Sequence, residues 1–322
     1  MSRKLDRTIA ALNAVVGDYL RRRANGLEIA MGFYDRGEQL GCDRREIARA
    51  HPGATGRVCI LVHGLADSEG VWRFPGKRDF SYGSLLQKDL AYTPFYLRYN
   101  TGLHISENGE TLADLLERLV ERHPVPVSEI IVLGHSMGGL VIRSACEAAV
   151  RARHRWVERL TRAFYIGTPH LGAPLEKLGN AVGRVLRAIR NPYVKLVADV
   201  ADLRSSGIKD LRHANIVREH WEGLDAGAAP PDDRIAVPLL PGIAHYALVG
   251  TLTARERHVI TLLFGDSLVR VPSAVGRCRD EDRALRFAEG NVKVFHGVTH
   301  RRLAHDRGVY RQIRAWCAGA RS

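Results

Sequence analysis

Ile130-Ile131-Val132-Leu133-Gly134-His135-Ser136-Met137-Gly138-Gly139-Leu140-Val141-Ile142 is the stretch whose reading decides the fold. Its first four residues are an unbroken apolar run, which predicts a buried strand. From Leu140 onward, Val141, Ile142, Ala145, Ala148 and Ala149 recur at helical spacing. Between them stands G-x-S-x-G. Composition alone predicts about 0.1 chance matches to that pentapeptide, so the motif draws its weight from its strand–turn–helix setting. A serine on so tight a turn sits in a strained backbone, and small residues two positions to either side let neighbouring chain approach it. Gly134 and Gly138 supply them, and Gly139 is expected to add slack. Ser136 is therefore the candidate nucleophile. The helix that starts after it aims its N-terminal amides at the reaction centre.

Outward from this turn, short apolar runs alternate with amphipathic segments. Strands are predicted at Val58–Val62, Phe95–Tyr99, Ile130–Leu133 and Ala163–Ile166, and helices at Ser84–Leu90, Glu107–His123 and Met137–Arg153. Continuous apolar strands separated by helices imply a parallel sheet covered on both faces, a doubly wound α/β fold. The alternation breaks after Thr168-Pro169. Residues 175–225 read as mainly helical, with Leu178, Val182, Val185, Leu186 and Ile189 on one face, and a Pro-rich patch follows at Pro230, Pro231, Pro238 and Pro241. This has the pattern of a cap inserted between strands. Strand character returns at His245–Leu252 and Val292–Phe295, and a helix over Val309–Cys317 closes the chain.

Ahead of the sheet, Leu5, Ile9, Leu12, Val15, Val16, Tyr19 and Leu20 share one helix face within residues 4–23, more simply a packing face than a membrane-surface one. Residues 35–57 are charged and Gly-rich and read as an irregular lead-in. The expected organisation is thus an N-terminal helix and lead-in over 1–57, core over 58–174, helical cap over 175–242, and core again over 243–322.

A tetrahedral intermediate at Ser136 needs two hydrogen-bond donors. The motif places one on the residue after the nucleophile, Met137, and one on the loop after an earlier strand. That loop reads His63-Gly64-Leu65-Ala66-Asp67, so the Leu65 amide is the second candidate, with Gly64 allowing the turn and His63 cast as a structural residue beneath the site. Acid and base follow the nucleophile in chain order. Of the 14 histidines, His296, His300 and His305 lie late enough. His296 ends a strand, His300 lies on the loop beyond it and is the candidate base, and His305 is the reserve. Asp266, at a Gly turn after an apolar stretch, is the candidate acid; Asp280, Glu281 and Asp282 read as a solvated patch. In these roles His300 takes the Ser136 proton and Asp266 orients the imidazole.

The 322 residues carry a formal charge of +13, from 48 Lys and Arg against 35 Asp and Glu. The basic residues are spread along the chain without interleaved aromatics, so nucleic acid is not an expected partner, whereas transient contact with an anionic membrane surface is compatible with the charge. Cys42, Cys59, Cys146, Cys278 and Cys317 are too few and too scattered for a disulfide framework, and no C-x-x-C occurs, so free thiols are expected and neither metal nor cofactor is called for. No signal-peptide pattern and no apolar run of spanning length appears, and a cytoplasmic location is the expectation. Oligomeric state has no readable signal.

With these residues in hand, the chain resembles the lipase/esterase-like branch of the alpha/beta-hydrolase superfamily, near bacterial triacylglycerol lipases and inositol-deacylase-like hydrolases. The likeness is carried by Leu61-Val62-His63-Gly64-Leu65, Gly134-His135-Ser136-Met137-Gly138-Gly139, Gly167-Thr168-Pro169-His170-Leu171-Gly172-Ala173-Pro174, Gly265-Asp266-Ser267-Leu268-Val269 and the late His300. Ser267 stands where relatives often carry a second glycine. The resemblance implies an alpha/beta-hydrolase fold with a mostly parallel central sheet, an inserted helical cap, a Ser-His-Asp triad, and hydrolysis of a small-molecule or lipid ester. Acyl transfer on the same fold and a non-catalytic binding or scaffold role are the alternatives.

Overall fold

The computed structural model describes residues 3–35, 37–77, 79–173, 205–224, 235–251, 271–276 and 284–319. Among these residues, eight strands form one sheet: β1 Gly32–Asp35, β2 Glu38–Leu40, β3 Arg57–Val62, β4 Thr93–Arg98, β5 Glu129–His135, β6 Leu160–Ile166, β7 Ala244–Thr251 and β8 Val292–His296. They lie in the order β2-β1-β4-β3-β5-β6-β7-β8. From β4 to β8 every pairing is parallel. Among the described residues, the helices of seven residues or more are α1 Arg3–Arg22, α2 Arg44–Ala50, α3 Tyr82–Leu90, α4 Ile105–Arg122, α5 Met137–Ala152, α6 Ser206–His213 and α7 Arg307–Ala318.

The unbroken apolar run at β3 follows from its two covered faces. Val58, Ile60 and Val62 join one core with Leu112 and Leu116 of α4 and Leu140 and Val141 of α5. Cys59 and Leu61 join the opposite core with Leu86 of α3 and Val309 and Ile313 of α7. Side chains on a strand alternate in direction, so a strand buried on both sides has no polar position left. Leu61 is fully buried. Replacing it with Ala is expected to destabilise the fold by about 2–5 kcal/mol. A urea titration checks this as a lower midpoint at unchanged slope.

Residues 35–57 depart from the irregular lead-in expected of them. They carry β2 and α2, and β1 pairs antiparallel with both β2 and β4, extending the parallel sheet at its edge. The strands are four and three residues long, too short for alternation to register. Helix α2 has a clear start: the Asp43 carboxylate accepts from the Arg45 and Glu46 amides, each at 2.9 Å.

The apolar stripe of α1 is a packing face. Leu12, Val15, Val16 and Leu20 are buried, while Leu5 and Tyr19 are exposed. The Asn100 side-chain amide donates to the Gly17 carbonyl at 3.0 Å, and the Ser205 hydroxyl donates to the Ala14 carbonyl at 2.6 Å. Within the expected cap, α6 is docked on the same region. The Asp210 carboxylate accepts from the Ile105 amide at 2.8 Å and from His104 Nδ1 at 2.9 Å, which satisfies the start of α4. No helix among the described residues is long and apolar enough to cross a membrane. Cys42, Cys59, Cys146 and Cys317 are free thiols.

Candidate active site

Strand β5 delivers Ser136 to the C-terminal edge of the sheet, where α5 begins at the next residue. Ser136 has φ 55° and ψ −124°, a conformation that costs a residue with a side chain about 1–3 kcal/mol. Backbone contacts hold it there. Its amide donates to the Ile166 carbonyl at 2.9 Å, and its carbonyl accepts from the Gly139 amide at 3.1 Å.

The glycines around the turn serve close approach. A Cβ on Gly138 would stand 2.3 Å from the Val62 carbonyl oxygen and 2.6 Å from that of His63. The helix start is therefore pressed against the end of β3. A Cβ on Gly64 would stand 2.8 Å from Ser136 Cβ and 3.4 Å from Ser136 Oγ. Gly139, expected to add slack, has the opposite role: a Cβ there would stand 2.0 Å from Thr168 Oγ1. The Thr168 side chain fills the space a larger residue would need.

Both candidate donor residues border this contact. Met137 is the first residue of α5, where an amide has no intrahelical acceptor. Leu65 is half-buried and follows Gly64 directly. The loop carrying Leu65 is tied from three directions. The Ala66 amide, at φ 59°, donates to Thr101 Oγ1 at 3.3 Å. Asp67 pairs with Arg301 at 2.8 Å, next to His300 in sequence. Glu69, buried, accepts from Arg98 Nη2 at 2.6 Å and from its Nε at 2.7 Å. His63 is buried and stacks on Tyr99 at 4.5 Å between centroids, while the Tyr99 hydroxyl donates to the His63 carbonyl at 2.8 Å. That is the structural position expected of it.

His300 is buried on the loop between β8 and α7. Its ring lies 3.1 Å from where a Cβ on Gly167 would stand. Gly167 directly follows Ile166, whose carbonyl holds the Ser136 amide. The imidazole and the serine thus flank one short piece of chain. His305, the reserve, is committed elsewhere: its Nδ1 donates to the Val71 carbonyl at 3.0 Å. His296 ends β8, is exposed, and contacts Thr251 Oγ1 at 3.1 Å. Asp266 lies outside the described residues, as do Asp280, Glu281 and Asp282.

Sequence reading passed over His135, the residue before the candidate nucleophile. Its Nε2 donates to the His300 carbonyl at 2.9 Å and its ring lies 4.9 Å from the His300 ring. Strand alternation supplies the signal: one residue before Ser136, the side chain turns toward the α3 and α7 side of the sheet. The Asp67–Arg301 pair left no signal, because 234 positions of chain separate its partners.

His63, His135 and His170 share a property with a measurable consequence. Burial holds each imidazole below its ordinary value of 6.5, reinforced at His135 by His300 and at His170 by Arg143. The unfolded chain takes up protons below pH 6.5 that the folded chain refuses. Stability is therefore full above pH 6.5 and falls as pH drops through it, by up to about 1.4 kcal/mol per pH unit for each such histidine. Thermal melts between pH 8 and pH 5 are expected to show a falling Tm below 6.5; a flat profile would contradict the buried neutral histidines.

Among the described residues, an eight-stranded, mostly parallel sheet with a serine on a strained strand-to-helix turn is the alpha/beta-hydrolase architecture. The chain belongs to the PGAP1-like alpha/beta domain family, which it matches over residues 53–239, more than half its length. Among solved structures, the propeptide form of Bacillus licheniformis lipase BlEst2 superposes with a TM-score of 0.50 at 15% identity, covering 81% of this chain and 50% of that one. The mature form of the same lipase gives a TM-score of 0.45 at 14% identity over 81% of this chain and 89% of that one. Aspergillus fumigatus lipase B gives 0.46 at 14% identity over 89% and 55%. No curated protein matches in sequence.

Proposed function

We propose that this protein is a serine hydrolase that cleaves carboxylic esters of lipid or other hydrophobic acyl substrates. The observation that carries the reading is Ser136 at φ 55° between β5 and α5, with Gly64 and Gly138 pressed around it. In this reading His300 takes the Ser136 proton as its Oγ attacks the ester carbonyl, and later returns it to the leaving alkoxide. Asp266 holds the imidazole in the productive tautomer and stabilises the imidazolium. The Leu65 and Met137 amides bind the oxyanion, and a water enters through the same base to release the acid.

Membership of the PGAP1-like alpha/beta domain family over residues 53–239 supports the reading. A fluorophosphonate probe tests it. Labelling of the wild-type chain that disappears in Ser136→Ala is expected, and a folded wild-type protein that takes no label would sink the proposal. A panel of p-nitrophenyl esters of graded chain length then sets the acyl preference, with activity expected to rise beyond acetate. Product analysis in the presence of a lipid alcohol separates hydrolysis from acyl transfer.

A further inference from the structure

A second feature of the chain lies apart from Ser136. A cavity of about 290 Å³ opens between α5, the turn after β6 and the segment 235–239. Arg143, His170 and His220 line it together with Ile216, Val237 and Leu239.

Arg143 sits on the second turn of α5 and is only 7% exposed. One arm of its guanidinium donates to the Val237 carbonyl at 2.5 Å, the other stands 3.5 Å from His170 Nδ1, and Nε has no partner. No carboxylate pairs with it among the described residues. Among the described residues, the ionisable groups whose fields reach it are Tyr165, Cys146, His170 and His245, none of them an anion, since burial keeps the phenol and the thiol neutral. Burying a guanidinium without a counter-charge is strongly unfavourable, and its planar fork is shaped to take two oxygens of one anion.

His170 adds a neutral donor beside it. It is 3% exposed, and burial with Arg143 alongside keeps it neutral. With Nδ1 facing an Arg143 N–H, the ring proton falls on Nε2, a buried donor that has no acceptor. Two buried donors thus stand unsatisfied on residues that line one cavity, whose wall also carries His220 and Arg286 and is otherwise aliphatic. Buried polar groups normally have hydrogen-bond partners, so both donors are suited to an acceptor.

We propose that this cavity binds an oxyanion, phosphate or carboxylate, carried on an apolar chain. Arg143 takes the anion, His170 Nε2 donates to it, and Ile216, Val237 and Leu239 hold the chain. The proposal goes beyond the reading of Ser136 and does not depend on it.

Binding is measured by titration calorimetry on the full chain carrying Ser136→Ala, which removes turnover from the readout whatever Ser136 does. The probes are octyl phosphate, octanoate and the neutral octyl glucoside. At least one of the two anions is expected to bind, with octyl glucoside at least about tenfold weaker, and their relative affinity tells a phosphate source from a carboxylate source. Arg143→Met is expected to weaken the anion by about tenfold or more. Arg143→Lys, which keeps the charge but loses the fork, is expected to fall between and carries the test should the Met variant not fold. The proposal is overturned if neither anion binds, if octyl glucoside binds as well as they do, or if the Arg143 variants bind as the parent does.

Discussion

Ser136→Ala is expected to lower ester turnover by roughly 10⁵–10⁶-fold while leaving the fold intact. The size follows from what one oxygen does in the proposed cycle. Without Oγ no acyl-enzyme forms, His300 has no proton to take, and the remaining donors can only assist direct attack by water. At about 1.4 kcal/mol per decade this is roughly 7–8 kcal/mol of transition-state stabilisation. His300→Ala is expected to fall nearly as far, and the double variant little further, because the two act as one unit. Steady-state kinetics on the preferred p-nitrophenyl ester reads these values. Additive losses in the double variant would show that His300 acts apart from Ser136. Folding should be unaffected, and relief of the strained φ of 55° is not expected from Ala, which meets the same Cβ constraint.

The second large effect is expected from one methyl group at Gly138. Its Cβ would stand 2.3 Å from the Val62 carbonyl oxygen and 2.6 Å from the His63 carbonyl oxygen. Both obstacles are backbone at the end of a strand whose residues Val58–Val62 are fully buried, so neither can swing aside. The start of α5 must move away from β3, carrying the Met137 amide from the Leu65 loop. Gly138→Ala is expected to lower kcat/KM by about 10²-fold or more, the scale of a 1 Å displacement of catalytic groups. It should also destabilise by about 1–3 kcal/mol as an overpacking change. Gly53→Ala is the control, since nothing lies within 4 Å of a Cβ there, and it should stay within about 0.5 kcal/mol of the parent. Equal activity in Gly138→Ala and Gly53→Ala would break the link between close approach and catalysis.

These two expectations rest on different kinds of information. The element order, the parallel sheet and the turn at Ser136 were legible in the chain because each is a local pattern. A strand buried on both faces must be apolar throughout, as Val58–Val62 is, and a helix covering one face must repeat its apolar residues every three or four positions, as α5 does. The β1–β2 edge escaped, since three or four residues cannot display a period. His300 could be preferred over His296 and His305 from its place on a loop after the last strand, and contacts among the described residues give the other two different neighbours.

Sequence by itself determined which residue types occupy the turn and where β3 to β8 and the helices α1, α3, α4, α5 and α7 fall. Tertiary structure decided what touches what: that Gly139 makes room for Thr168, that His135 holds the His300 carbonyl, that Asp67 reaches Arg301, and that Arg143 is buried with no carboxylate paired to it among the described residues. The physical reason is range. Hydrophobic periodicity and turn chemistry act between residues a few positions apart and leave a mark in their spacing. Close backbone approach and desolvated charge arise only when segments far apart in the chain are brought together, and nothing in the spacing of one segment encodes the other.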